Sequence, residues 1–196
     1  MKLRVVFTLI ALAAPLATAA HAQTREQMQD EAVGRARGNA EVAARQLTNN
    51  DPLIRQRAAE ELARLKATEK RRLVEGYRLQ EKNDRVRLAL DWALYRMGKT
   101  EALFEIVRAL DSSRGNQSVA YLNDLGAPEP LYLFLDRASG TTLTRLLEAL
   151  ARLGDADTLE RVKPYAASND PKVASAARFA EREITRRLAA LPTPLT

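Results

Sequence analysis

Cysteine is absent from this 196-residue chain, and histidine occurs only once. Without cysteine there are no disulfides, no thiolate metal ligands and no sulfur nucleophile, so packing alone must hold the fold. Glycine and proline, eight of each, are too few for a collagen-like or low-complexity polymer. Aromatic residues make up 5 %, while Ala, Leu, Arg and Glu are plentiful, a mixture that favours helix over sheet. Three phosphate and acyl-transfer motifs are also missing: G-x-G-x-x-G, a glycine-rich loop ending in Gly-Lys, and Ser-x-x-Lys. What remains is 46 % hydrophobic and 29 % charged, the balance of an ordinary globular chain long enough for one domain with a sizeable core.

The N-terminus reads as an export signal. Lys2 and Arg4 precede an apolar run from Val5 to about Leu16, then the small residues Ala17 to Ala22. Ala20-His21-Ala22 fits the A-x-A cleavage rule, so the mature chain is expected to begin at Gln23. The apolar run falls short of the roughly 20 residues a spanning helix needs, and no cysteine follows that could take a lipid anchor. The charge and cleavage pattern looks bacterial, which makes the periplasm or secretion the expected destination. Cleavage lowers the net charge from +6 to +4 by removing Lys2 and Arg4, and it removes His21, the one histidine. A mature chain without imidazole or thiol cannot build a Ser-His-Asp or Cys-His centre, nor the usual zinc sites.

A repeat runs through the rest. Asn50-Asp51-Pro52-Leu53-Ile54-Arg55, Asn83-Asp84-Arg85-Val86-Arg87 and Asn169-Asp170-Pro171-Lys172-Val173 each put a capping residue before a first helical turn. The closing pairs Met97-Gly98, Leu125-Gly126 and Leu153-Gly154 recur every 28 residues, and Leu65-Lys66 stands 32 residues before the first of them. Glycine there suits the left-handed residue that ends a helix. Between cap and close the apolar residues keep helical period: Ile54, Ala58, Leu62, Leu65; then Val86, Leu90, Ala93, Leu94, Met97; then Val173, Ala177, Ala180, Ile184. Each such helix is preceded by another, over Arg25–Leu47, Thr68–Glu81, Thr100–Leu110, Pro128–Arg137 and Ala156–Ala167.

Five helical pairs of 28 to 33 residues carry the period of a solenoid, in which no pair can bury its apolar face alone. Over about Asn50 to Arg187, the N-D-P-x-[IV]-R opening and closing L-G resemble HEAT-like repeats, in the short form also found in phycobilisome-lyase-type proteins. That resemblance implies an all-α, right-handed α-α superhelix of about five helical hairpin repeats whose second helices line a concave face. The expected organisation is a signal peptide over 1–22 and one repeat domain over 23–196. The latter divides into an N-terminal pair at 24–66, repeats at 67–98, 99–126, 127–154 and 155–190, and a tail at 191–196. The third unit departs from the pattern, with Ser112-Ser113-Arg114-Gly115-Asn116 as a poor cap; the fourth opens with Ser139-Gly140-Thr141-Thr142. Pro164 should kink the last partner helix.

Repeats of this kind mostly bind partners, and no lyase residue is matched, so no bilin chemistry is implied. No catalytic, cofactor-binding or metal-binding residue is assigned. The carboxylate pairs Glu101 with Glu105 and Asp155 with Asp157 read as solvated charge at helix starts. The basic clusters Lys70-Arg71-Arg72 and Arg182, Arg186, Arg187 are interleaved with Glu69, Glu75, Glu181 and Glu183, which disfavours nucleic acid as a partner. At about 100° per residue, Leu88, Trp92 and Tyr95 turn away from the apolar stripe of their helix. The equivalent positions in other units are smaller or polar: Gln56, Asn116, Thr144, Ser175; then Glu60, Ala120, Glu148, Phe179; then Ala63, Asn123, Ala151, Arg182. These residues predict an unidentified protein partner bound at a patch of Leu88, Trp92 and Tyr95 flanked by Arg64, Arg96 and Arg152, since Trp, Tyr and Arg dominate hot spots. On that expectation Trp92→Ala removes binding and leaves helicity intact. Two other readings stand beside it: a binder of anionic envelope polymers or membrane surface through arginines, and an enzyme built on Asp, Glu, Lys or Tyr.

Overall fold

The computed structural model describes residues 15–190, and among these there is helix and no strand. The expected leader over 1–22 lies largely, and the tail 191–196 wholly, outside the described residues. Ten α-helices follow one another: α1 (Pro15–Gln46), α2 (Pro52–Leu65), α3 (Arg71–Gln80), α4 (Asp84–Arg96), α5 (Leu103–Arg108), α6 (Gly115–Asn123), α7 (Glu129–Leu135), α8 (Gly140–Leu153), α9 (Ala156–Val162) and α10 (Pro171–Ala189). Short 3-10 turns begin the expected partner helices at Thr68 and Thr100, and another follows α9 over Lys163–Ala167, where Pro164 ends the α-helical hydrogen bonding.

The caps explain the starts. Asp51 accepts the Leu53 N–H, Asn83 accepts those of Arg85 and Val86, and Asp170 accepts that of Lys172. The cap therefore falls on Asp in two units and on Asn in the second, so the motif slides by one residue while the helix register holds. The third and fourth units have no side-chain cap at Arg114 or Ser139. At Gly115, a Cβ would sit 2.7 Å from the Leu110 carbonyl oxygen and against the Arg145 guanidinium, and Arg145 donates to that same carbonyl. A residue with a side chain would collide there, which accounts for the glycine.

The closes are of three kinds. Gly98 and Gly126 are left-handed, at φ 93° and 79°. Gly154 is not, at φ −66°; its role is close approach, because a Cβ would lie 2.6 Å from Thr158 and 2.8 Å from Ile184. In the first unit Lys66 takes the left-handed conformation at φ 49°, with its N–H on the Ala63 carbonyl and the Ala67 N–H on that of Leu62. Lysine is strained there where glycine is not. Lys66→Gly is expected to raise the unfolding free energy by about 0.5–1 kcal/mol, read from urea unfolding; a decrease would show that the lysine stem packs at this close.

Even-numbered helices lie side by side, α2 on α4, α4 on α6, α6 on α8 and α8 on α10, and each odd-numbered helix packs on the even one that follows it. The apolar stripes face inward as their spacing requires: Val86, Leu90, Ala93, Leu94 and Met97 are buried, as are Val173, Ala177, Ala180 and Ile184. Charged side chains join the units at their edges. Arg55 grips Glu81 with two hydrogen bonds of 2.7 and 2.9 Å and donates to the Asn49 and Asn50 carbonyls. Glu81 in turn accepts the N–H groups of Lys82 and Asn83, so the arginine of the opening motif ties one inter-helix turn to the next. Arg96 reaches the Asp124 carbonyl at the end of α6, and Arg187 those of Ala151 and Gly154 at the end of α8, supplying donors to helix-terminal carbonyls that otherwise lack them.

Candidate functional site

Only the start of α4, at Asp84 and Arg85, is exposed. α2, α3, α5 and α6 all pack on it, and the consecutive residues Leu88 to Leu94 are all buried. Leu88 and Trp92 are only 2 % and 3 % exposed, which corrects the expectation that they form an outward patch with Tyr95. Tyr121 of α6 covers Trp92: its ring stacks on the indole at 5.3 Å and 2°, and Tyr95 stacks on the same indole at 5.6 Å and 21°. The Tyr121 hydroxyl donates to Glu60 of α2 at 2.6 Å and accepts from Gln117, while Gln56 also donates to Glu60. Helices α2 and α6 are thus bridged across α4. Burial first, then the hydrogen bond to the Glu60 carboxylate, push the Tyr121 phenol far above its ordinary pKa and keep it protonated.

The flanking arginines have separate fates. Arg64 is exposed and paired with Glu61 at 2.6 Å. Arg96 lies with its guanidinium 5.2 Å over the Trp92 ring and pairs with Asp124 at 2.8 Å, which makes it part of the closed cluster. Arg152 is exposed and lines something else.

That second feature is an open groove of about 820 Å³ across α6, α8 and α10, within the range typical of ligand sites. Val119 and Asn123 come from α6, Thr144, Glu148, Ala149 and Arg152 from α8, and Lys172, Ser175, Phe179 and Arg182 from α10. Its register is the one aligned with Leu88, Trp92 and Tyr95: Thr144 and Ser175 at the first level, Glu148 and Phe179 at the second, Asn123 and Arg182 at the third. The face named from the sequence is closed in the second unit and open in the fourth and fifth. Bulky side chains on neighbouring helices stack on each other and close the face in the second unit. Ala149, Ala176, Thr144 and Ser175 are too small to do so, and the face stays open in the fourth and fifth.

Electrostatics also distinguishes the two halves. Arg64 and Arg96 are each neutralised by a carboxylate. Arg152, Lys172 and Arg182 take part in none of the ion pairs among the described residues, and Glu148 is the one carboxylate in the groove lining. Phe179 is 42 % exposed at the rim, and the Asn123 side-chain oxygen is buried with no protein hydrogen-bond partner. Sequence reasoning named Arg152 but missed Glu148, Lys172, Phe179 and Arg182 because it ranked positions by side-chain bulk; the charges of Glu148 and Arg182 at the compared positions were the signal that could have found the groove.

The carboxylate pairs have structural roles or stay solvated. Asp155 caps α9 in a reciprocal box with Thr158, whose backbone N–H and hydroxyl hold the carboxyl below the usual range. Glu105 pairs with Arg108 at 3.2 Å, and Glu101 is exposed. Among the described residues no group of three or more His, Asp or Glu side chains is placed to hold a metal ion, and no helix is long and apolar enough to cross a membrane.

No family model matches the chain, and no curated protein does. Among solved structures, a crystal structure described as an engineered protein, a Northeast Structural Genomics Consortium target, aligns at 18 % identity over 76 % of this chain and 80 % of its own, with a TM-score of 0.37. At that score the likeness carries no argument about architecture or role.

Proposed function

We propose that this chain is an exported, non-catalytic interaction module: a right-handed α-α superhelix of five HEAT-like hairpins that takes a protein partner on the concave face of its second helices. The binding surface in this reading is the groove of α6, α8 and α10, not the Leu88, Trp92 and Tyr95 cluster. The observation that carries it is the contrast along one face: closed by stacked aromatics and paired charges over α2 to α6, open and unneutralised over α6 to α10. Support for the superhelix comes from the ladder of even helices and from caps that recur at the repeat spacing. The export reading rests on the A-x-A pattern at Ala20-His21-Ala22.

A photo-crosslinking amino acid at position 179 on the groove rim, or at position 79 on the outer surface where Leu79 is 86 % exposed, tests both parts in cells. The expected result is light-dependent protein adducts from position 179 and none from 79, on a chain that fractionates with the envelope and begins at Gln23. Adducts from neither position, or a cytoplasmic chain that keeps its leader, would overturn the proposal. A second reading, attachment to anionic envelope polymers, draws on the same unpaired Arg152, Lys172 and Arg182. It predicts retention that disappears with salt and does not depend on Phe179.

A further inference from the structure

We infer that the groove of α6, α8 and α10 receives a short extended acidic peptide segment with an apolar anchor; this rests on the interaction-module reading and names its partner's chemistry. Three observations on different atoms converge. The floor and wall are apolar, from Val119, Ala149, Ala176 and the half-exposed ring of Phe179, so an aliphatic or aromatic side chain gains by burial there. Both ends are cationic: Lys172 stands in the first turn of α10, and Arg152 and Arg182 stand together at the opposite end of the register. None of the three takes part in an ion pair among the described residues. Lastly, the lining holds a single carboxylate, that of Glu148, at the level between the two cationic ends.

That third observation separates a peptide from a plain polyanion. A phosphate or sulfate polymer carries negative charge at every repeat, and the stretch between the two cationic ends would face Glu148 unfavourably. A peptide brings backbone N–H donors for Glu148 and side-chain carboxylates for the cations. The spacing limits its length. Lys172 and Arg182 are ten residues apart on one helix, hence about 15 Å along its axis at the α-helical rise. An extended chain covers that in about four to five residues at the strand rise. The expected pattern is therefore two carboxylates four or five positions apart, with an apolar side chain between them seated against Phe179.

Selection of random peptides on the immobilised, processed full-length protein, followed by fluorescence-anisotropy titration of the winners, tests this directly. Enrichment of that acidic–apolar–acidic pattern is expected. The double variant R152E/R182E should weaken the selected peptide by about 100-fold, on the order of tenfold for each desolvated charge contact, and a peptide with lysines for its carboxylates should bind the double variant better than the wild type. Arg182→Ala serves as the milder variant, and R71E/R72E on the exposed start of α3 should leave binding unchanged; thermal melting confirms that each variant folds. Selected peptides without carboxylates, equal binding to R152E/R182E, or capture of phosphatidylglycerol vesicles with no peptide selected would each overturn the inference. Protein adducts from position 179 alongside any of those results would leave the module reading standing and sink only the peptide chemistry. Absence of adducts and of peptide binding together would sink both.

Discussion

Trp92→Ala is expected to lower the unfolding free energy by about 3–5 kcal/mol, the range for emptying a buried Trp or Phe site, and not to act as a selective binding variant. The indole is 3 % exposed, stacked on Tyr121 and Tyr95, with the Arg96 guanidinium on its face. Removing it leaves a cavity at the point where α2, α4 and α6 meet. It also takes away the surface on which Tyr121 lies while its hydroxyl holds Glu60. Urea unfolding followed by circular dichroism gives the free energy, and the near-ultraviolet signal of the stacked rings should fall with it. Trp92→Phe should recover part of the loss by refilling the site. A Trp92→Ala protein as stable as the wild type would return the ring to the surface and restore the outward patch as a binding site.

The second large effect lies on the other flank of α4. Asp91 is 6 % exposed, and Arg78 of α3 donates to it at 2.6 Å. Burial raises the Asp91 pKa above its ordinary value, opposed first by the hydrogen bond and then by the charge of Arg78; Glu105 adds to the rise and Arg87 opposes it. Arg78→Met strips the carboxylate of its partner and is expected to destabilise by about 3–5 kcal/mol at neutral pH, as for other buried pairs cut on one side. The pH dependence has a definite sign. A carboxyl whose folded pKa lies above its unfolded value binds its proton more tightly when folded, so its contribution to stability falls as pH rises from the unfolded pKa through the folded one. The R78M deficit should therefore shrink as pH is lowered until Asp91 is protonated. R78M/D91L, with both charges replaced by apolar groups, should recover most of the loss at pH 7. A deficit independent of pH, or no recovery in the double variant, would show that the arginine stem matters through packing and not through its charge.

Much of the architecture was legible in the chain. Asp51, Asn83 and Asp170 announce helix starts because a short side-chain oxygen can take an N–H that the helix leaves unpaired. Stripes such as Val86, Leu90, Ala93, Leu94 and Met97 announce the buried side because apolar residues at helical period have one way to leave water together. Other local features were not legible. Lys66 is left-handed against its own preference, Gly154 is a contact glycine and not a turn glycine, and Gly115 yields to Arg145. The two glycines depend on neighbours 4 to 30 residues away, which leave no mark on the local pattern.

The amino-acid sequence by itself determined the helical class, the place of most helices, the missing thiol chemistry, and the face of α4, α6, α8 and α10 that does not belong to the main stripe. Periodicity and capping are properties of a dozen consecutive residues, so a linear text can carry them. Only the tertiary structure decided which stretch of that face is open. Exposure is set by what the neighbouring helix brings: Tyr121 lies over Trp92 and closes one half, while the small side chains of Ala149 and Ala176 put no bulk over the other half and leave it open. Side-chain size on one helix says nothing about accessibility until the opposing helix is in place.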